Sequence, residues 1–237
     1  SIKTFSRGGS DVTGSLVAKA VNADIYENWT DVSGFLMADP RIVENPKPIE
    51  RITYKELREL SYMGASVLHE DAVFPVREVN IPINIRNTNE PENPGTIISD
   101  TPSPTQNIIT GVAGREDFVV IALYKNMMNS EIGFVKRLLT ILENNDISFE
   151  HLPSGIDTVC VIISEKQLEG KMQDLLYDIE KRLKPDSIDI YQDMALIATV
   201  GLGMSRRLGV SATLFGALTE ADVNVRMIDQ GSSEMNI

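Results

Sequence analysis

Two short segments hold the residues best suited to chemistry. Arg7-Gly8-Gly9-Ser10-Asp11 sets two glycines, which let a backbone approach a ligand closely, beside an arginine that can grip a carboxylate or phosphate through two parallel bonds. Ser10 and Asp11 suit the cap of a following helix, and a glycine turn feeding a helix N-terminus is an anion site. Downstream, TDVSGFLMADPR places Thr30-Asp31 at the end of an apolar stretch and Asp39-Pro40-Arg41 in a turn. Taken singly, RGGSD reads as a tight capped turn, Thr30-Asp31 as a strand-to-loop cap and ADPR as a proline-fixed turn with a solvated ion pair. Taken together in this order, they suit anion binding by positioned donors and local positive charge. No Ser–His or Cys–His arrangement is evident, and His69, His151 and Cys160 are too scattered for a structural zinc pattern. The two histidines read as hydrogen-bonded loop or core residues.

The elements that must position these residues follow from periodicity. Residues 13–22 read as a helix starting near Ser10-Asp11, with Leu16, Val17, Ala20 and Val21 on its apolar face. Ala23 to Val32 reads as a buried strand running into a loop. Helices are expected over Tyr54 to Met63 and Val67 to Glu78, with a strand over Ile81 to Asn87. Alternation of this kind suggests an α/β sheet. Residues 88–106, with Pro91, Pro94, Pro102 and Pro104 among Asn, Ser and Thr, read as a linker or surface hairpin.

An internal repeat follows. Ile121-Ala122, Gly133, Leu138, Leu142, Asp146 and Ile147 recur 76 residues later as Ile197-Ala198, Gly209, Leu214, Leu218, Asp222 and Val223. Each copy reads strand, glycine turn, amphipathic helix, strand, the last being ISFEHL (147–152) and VNVRMI (223–228). In the first copy VCVIIS and a helix near Gly170 to Leu183 complete a βαββαβ unit. The second copy stops at Ile237 as its next strand is due, so the chain is expected to be cut at both ends relative to its natural units.

Composition narrows the class. The 237 residues carry 22 basic and 34 acidic side chains, a net charge of −12, with no basic stripe, which argues against nucleic acid as a partner. Anionic ligands must therefore be met by local arginines and helix ends. A single cysteine excludes an internal disulfide framework and suits a reducing compartment; lying in VCVIIS, it reads as an inert core thiol. No apolar run approaches the roughly 20 residues of a membrane span, and no signal peptide is seen, so a soluble cytoplasmic protein is expected.

RGGSD, TDVSGFLMADPR, SYMGASVLHEDAV (61–73), HLPSGID (151–157) and GVSATLFGALTEADVNVRMIDQGSSEMNI (209–237), in this order, resemble the aspartokinase family, and the resemblance covers essentially the whole chain. It implies an α/β fold: a partial amino-acid-kinase sandwich followed by two ferredoxin-like (βαββαβ) ACT modules. The implied domains are 1–106 for the C-terminal part of the kinase domain, 107–192 for the first ACT module and 193–237 for an incomplete second. In the family the modules are often interleaved, with the strand over Asn107 to Ala113 joining the second. The implied activity is ATP-dependent phosphorylation of the L-aspartate side-chain carboxylate, the first step toward lysine, threonine and methionine, with Mg2+ on the phosphates and no metal cage made by protein alone.

By the same resemblance Arg7, Ser10 and Asp11 meet aspartate, Arg7 on a carboxylate; Thr30 and Asp31 meet the nucleotide; Asp39 and Arg41 lie along its phosphates. The effector site implied is Met127, Ser130, Gly133 and Phe134 on one loop, with Phe149 and Glu150 on a facing strand, binding L-lysine (favoured because of Glu150) or L-threonine. A homodimer or dimer of dimers through the ACT modules is implied. Three departures stand out. Leu36 replaces a usual aromatic, Ser66 replaces a frequent lysine, and the family's Lys-x-Gly-Gly-Ser loop is missing, so the chain alone is expected to be inactive. The alternative is a non-catalytic ACT regulatory or dimerisation subunit.

Overall fold

The computed structural model describes residues 9–64, 70–102, 107–230 and 236–237. The chain divides into two compact units, one made of residues 1–114 with 197–237 and the other of 115–196.

In the first unit, α1 (Gly9–Ala20) leads to β1 (Tyr26–Thr30), a short hairpin of β2 (Phe35–Leu36) and β3 (Pro48–Ile49), and β4 (Arg51–Thr53). Helices α2 (Tyr54–Tyr62) and α3 (Glu70–Arg77), then strands β5 (Ile83–Asn87) and β6 (Thr96–Ser99), complete a four-stranded sheet ordered β1-β5-β6-β4. β1 and β5 run parallel with Tyr26 opposite Ile83 and Thr30 opposite Asn87; β5 and β6 are antiparallel. The proline-rich stretch is thus a hairpin whose second strand enters the core, with Thr96 and Ile98 fully buried. Its prolines flank β6 and leave the amides of the strand free to pair.

The expected face of α1 is corrected. Val12, Ser15 and Ala18 are buried, while Leu16, Val17 and Val21 are exposed. Both stripes have helical spacing, and only packing of Val12 and Ala18 into the core cluster with Tyr26 selects between them. β1 is shorter than expected and buries Tyr26 alone. α2 begins with a capping box, Thr53 Oγ1 accepting from Glu56 N–H and the Glu56 carboxylate accepting from Thr53 N–H. Leu57 and Leu60 face the core as their spacing predicts.

The chain passes between units within two long strands, β7 (Gly111–Tyr124) and β9 (Ser187–Val200). In the second unit a sheet ordered β8-β7-β9, with β8 (Thr158–Ser164), packs against α4 (Phe134–Asn144) and α6 (Met172–Leu183). A short helix α5 (Glu165–Leu168) follows β8. Phe134, Leu138 and Leu142, spaced at i, i+4 and i+8 in the amphipathic helix, are buried, and Ile141 is buried with them.

The repeat is visible in the backbone. A 3-10 turn at Met128–Ser130, a left-handed N-cap at Gly133 (φ 80°) and α4 have counterparts in Met204–Arg206, Gly209 (φ 87°) and α7 (Val210–Glu220). Only glycine adopts that N-cap conformation without steric cost. ISFEHL and VNVRMI, expected as strands, are not: only isolated bridges at His151 and Ser154 join that stretch to β8. The first lacks a continuous ladder of partners, and strand propensity cannot replace them. Cys160 is half-buried, not in the core, and burial raises its thiol pKa.

In the first unit the backbone before β7 lies along the second repeat. Thr110 N–H donates to Val200 C=O at 2.7 Å, and Thr199 and Ile237 exchange both backbone bonds.

Candidate functional site

Arg7 and Ser66 lie outside the described residues. The rest of the first segment gathers around the start of α1 and the end of β1. Asp11 stands in the first turn, where a carboxylate is favoured by the helix dipole. Asn28 Nδ2 donates to Asp11 Oδ1 at 3.2 Å and to Tyr26 Oη at 3.1 Å, while Tyr26 O–H donates to Asp11 C=O at 3.0 Å. Burial raises the Tyr26 phenol pKa, against the Asn28 bond and with help from the Asp11 charge, so it stays a donor. Ser10 Oγ sits 3.5 Å from Asp11 Oδ1 and is exposed.

Tyr26, Asn28 and Thr30 alternate onto one face of β1, which carries the Asp11 network toward the strand's C-terminal end. There Thr30 Oγ1 donates to Asp31 Oδ1 at 3.1 Å. Thr88 fixes Thr30 C=O twice, through its N–H (2.9 Å) and its hydroxyl (3.0 Å). The loop after Thr30 is tied to the loop after β5: Asn87 Nδ2 donates to Ser33 Oγ, whose hydroxyl donates to Glu90, both at 2.7 Å. Gly34, at φ 88°, lies so close to Thr96 that an added Cβ would collide with its hydroxyl and backbone. Polar groups thus gather at the C-terminal ends of two parallel strands, the usual place for ligands in such sheets.

Asp39 and Arg41 stand in the loop of the β2–β3 hairpin. Arg41 Nε and Nη2 both reach the Asp39 carboxylate, the latter at 2.6 Å, and Arg41 N–H adds a third donor at 2.8 Å. The Arg41 side-chain bonds come first among the causes that hold the Asp39 pKa down to about 2. Asp39 therefore aims the guanidinium, which is largely exposed. Leu36 is half-buried on the same hairpin.

In the second unit four predicted effector residues form one loop. Met127 adopts a left-handed backbone (φ 62°), Ser130 Oγ donates to Met127 C=O at 2.8 Å, Gly133 caps α4, and Phe134 is buried beneath it. Lys125 and Arg137, which sequence reasoning missed, lie 5.3 and 6.0 Å from the Phe134 ring centre, and both grip Glu131, Lys125 at 2.6 Å. Phe149 and Glu150 follow α4 on bridged backbone, not on a strand; Phe149 is exposed, and Glu150 faces Arg115 at 4.0 Å. Tyr26, Asn28, Asn87 and Thr88 were also missed. Only the i, i+2 relation of Tyr26 and Asn28 to Thr30 hinted at the first two.

Residues 2–87 match the amino acid kinase family and residues 197–237 an ACT domain. Aspartokinase 3 of Bacillus subtilis is 43% identical over 99% of this chain and 52% of its own length. The crystal structure of Clostridium acetobutylicum aspartate kinase superposes with a TM-score of 0.94 at 58% identity, covering 99% of this chain and 54% of that one. E. coli aspartokinase III, in complex with aspartate and ADP, gives 0.78 at 29%, and in complex with lysine and aspartate 0.77 at 28%, each covering 99% of this chain and 52% of that one. The chain thus spans about half the length of these relatives. The chain thus carries an amino-acid-kinase segment and an ACT segment and is similar to aspartokinases along nearly all its length.

Proposed function

We propose that this chain is part of an aspartate kinase that transfers the γ-phosphoryl group of ATP to the side-chain carboxylate of L-aspartate, giving 4-phospho-L-aspartate and ADP. The observation that carries the reading is the Asp11–Asn28–Tyr26 network, which locks the start of α1 beside the strand end bearing Thr30 and Asp31. Arg7 precedes this helix and supplies a bidentate grip on a substrate carboxylate. Thr30 and Asp31 meet the nucleotide, and Arg41, aimed by Asp39, offers positive charge to its phosphates. Two anions must meet in a molecule of net charge −12, so local cations and helix amides hold them together. Mg2+ carried on the nucleotide phosphates would neutralise their charge. That E. coli aspartokinase III was solved with aspartate and ADP supports the substrate pair.

The second unit is the sensor of a feedback amino acid, L-lysine before L-threonine, on the loop Met127–Phe134. The lysine complex of E. coli aspartokinase III supports that choice. The working enzyme is a cytoplasmic homodimer or dimer of dimers joined through ACT modules, with boundaries at 1–106, 107–192 and 193–237. No helix among the described residues is long and apolar enough to cross a membrane.

Steady-state turnover of aspartate and glutamate by the full-length enzyme tests the activity. Aspartate is expected to be strongly preferred, and equal use of both defeats the assignment. In the same assay Arg7→Ala raises the aspartate requirement about tenfold or more, with little change for ATP, since a charged hydrogen bond is worth roughly 1.5–3 kcal/mol.

A further inference from the structure

The Glu56 carboxylate takes no part in the chemistry above, yet it is among the most fully bonded side chains of its unit. It is 2% exposed. Oε2 accepts from Thr53 N–H at 3.0 Å and Thr53 Oγ1 at 2.7 Å; Oε1 accepts from Thr110 Oγ1 at 2.6 Å and Leu202 N–H at 3.0 Å. The donors come from three stretches distant in sequence: the cap of α2, the backbone before β7, and the turn after β9. A capping box needs only the Oε2 half of this arrangement. The Oε1 half is spent wholly on tertiary contacts. Burial alone would raise the pKa of this group, but the bonds from Thr110, Leu202 and Thr53 outweigh it and hold the pKa below the ordinary glutamate value.

A cavity of about 430 Å³ is lined by Thr53, Glu56 and Thr110 together with Met37, Lys47 and Arg51. Water in it can rehydrate the carboxylate when Thr110 and Leu202 let go, so opening does not strand a buried charge. Glu56 therefore has two physically reasonable states, one bonded to four protein donors and one partly hydrated.

We propose that Glu56 is a positioning residue that clasps Thr110 and the Leu202 turn of the ACT-matched segment to the start of α2 in the amino-acid-kinase segment, and so transmits effector binding to the kinase. Closed, the clasp sets the position of α2, whose C-terminal end leads to the GASVLH stretch. Opening it frees the Leu202 turn from the start of α2. The kinetic consequence rests on the aspartokinase reading; the clasp itself does not.

Thr110→Val removes one donor at nearly constant shape, and Thr110→Ser keeps it. In the full-length enzyme Thr110→Val is expected to raise the L-lysine concentration for half-inhibition about tenfold, within the range of allosteric couplings, while uninhibited turnover and calorimetric lysine affinity stay within about twofold. Thr110→Ser stays near wild type. Hydrogen exchange at Leu202 N–H accelerates about tenfold in the valine variant only, with Leu175 and Ile179 unchanged as internal controls for folding. Unaltered inhibition and unaltered Leu202 exchange in Thr110→Val overturn the proposal, as does an equal effect of serine and valine, which would signal packing. If wild type shows no feedback by lysine or threonine, the regulatory reading fails, and the exchange measurement alone decides whether the clasp exists.

Discussion

Asn28 shows how a residue with no obvious chemistry can govern a site. Its amide donates to Asp11 and to Tyr26, so it sets the carboxylate's direction from the neighbouring strand. Asn28→Ala leaves Asp11 without that donor while keeping the helix. In the full-length enzyme the aspartate requirement is expected to rise about tenfold, the scale of one hydrogen bond to a charged group, and the ATP requirement little. Varying each substrate at saturation of the other checks this; an equal rise for both would remove the network from the aspartate side. Asp11, Thr30 and Asp39 were singled out in the sequence through the family resemblance. Asn28 and Thr88 were not, because Asn28 acts through Asp11 on the neighbouring helix and Thr88 through Thr30 on the adjacent strand, partners that only the folded chain brings together.

Helices α4 and α7 are repeats of one pattern with different surroundings. Leu138 is fully buried among Phe134, Ile141 and α6, whereas its counterpart Leu214 is only half-buried, and α7 buries no residue. Leu138→Ala should therefore cost about 2–5 kcal/mol and Leu214→Ala much less, because the penalty follows the cavity left behind. Urea midpoints of the two variants in this chain decide the matter; equal losses would mean that α7 is covered in solution. Helix positions were legible to within a few residues from apolar spacing and glycine caps. The face chosen by α1 was not, since the stripe of Leu16, Val17 and Val21 is the more apolar, yet packing against the neighbouring sheet buries Val12, Ser15 and Ala18.

For the molecule as a whole, two units and two ligand classes are at issue. Calorimetric titration of this chain with L-lysine, then L-threonine, with aspartate as control, is expected to show saturable lysine binding. The Lys125–Glu131–Arg137 cluster and the start of α4 would receive the α-carboxylate, because a helix start without a side-chain cap bond and with two adjacent cations favours an anion. Binding of threonine alone would reverse the effector assignment. Absence of binding here but not in the full-length enzyme would place part of the effector site beyond these residues.

From residue order alone follow the α/β class, the repeat and the start of most helices, because each rests on local spacing, caps and turn chemistry. Tertiary structure decided which face of α1 is buried, that the proline-rich stretch contributes β6 to the sheet, and that ISFEHL meets β8 through isolated bridges instead of a ladder. It also decided that Glu56 holds Leu202 from 146 residues away. These outcomes depend on which partners each segment meets, and a strand ladder or a buried carboxylate is stable only once those partners are in place.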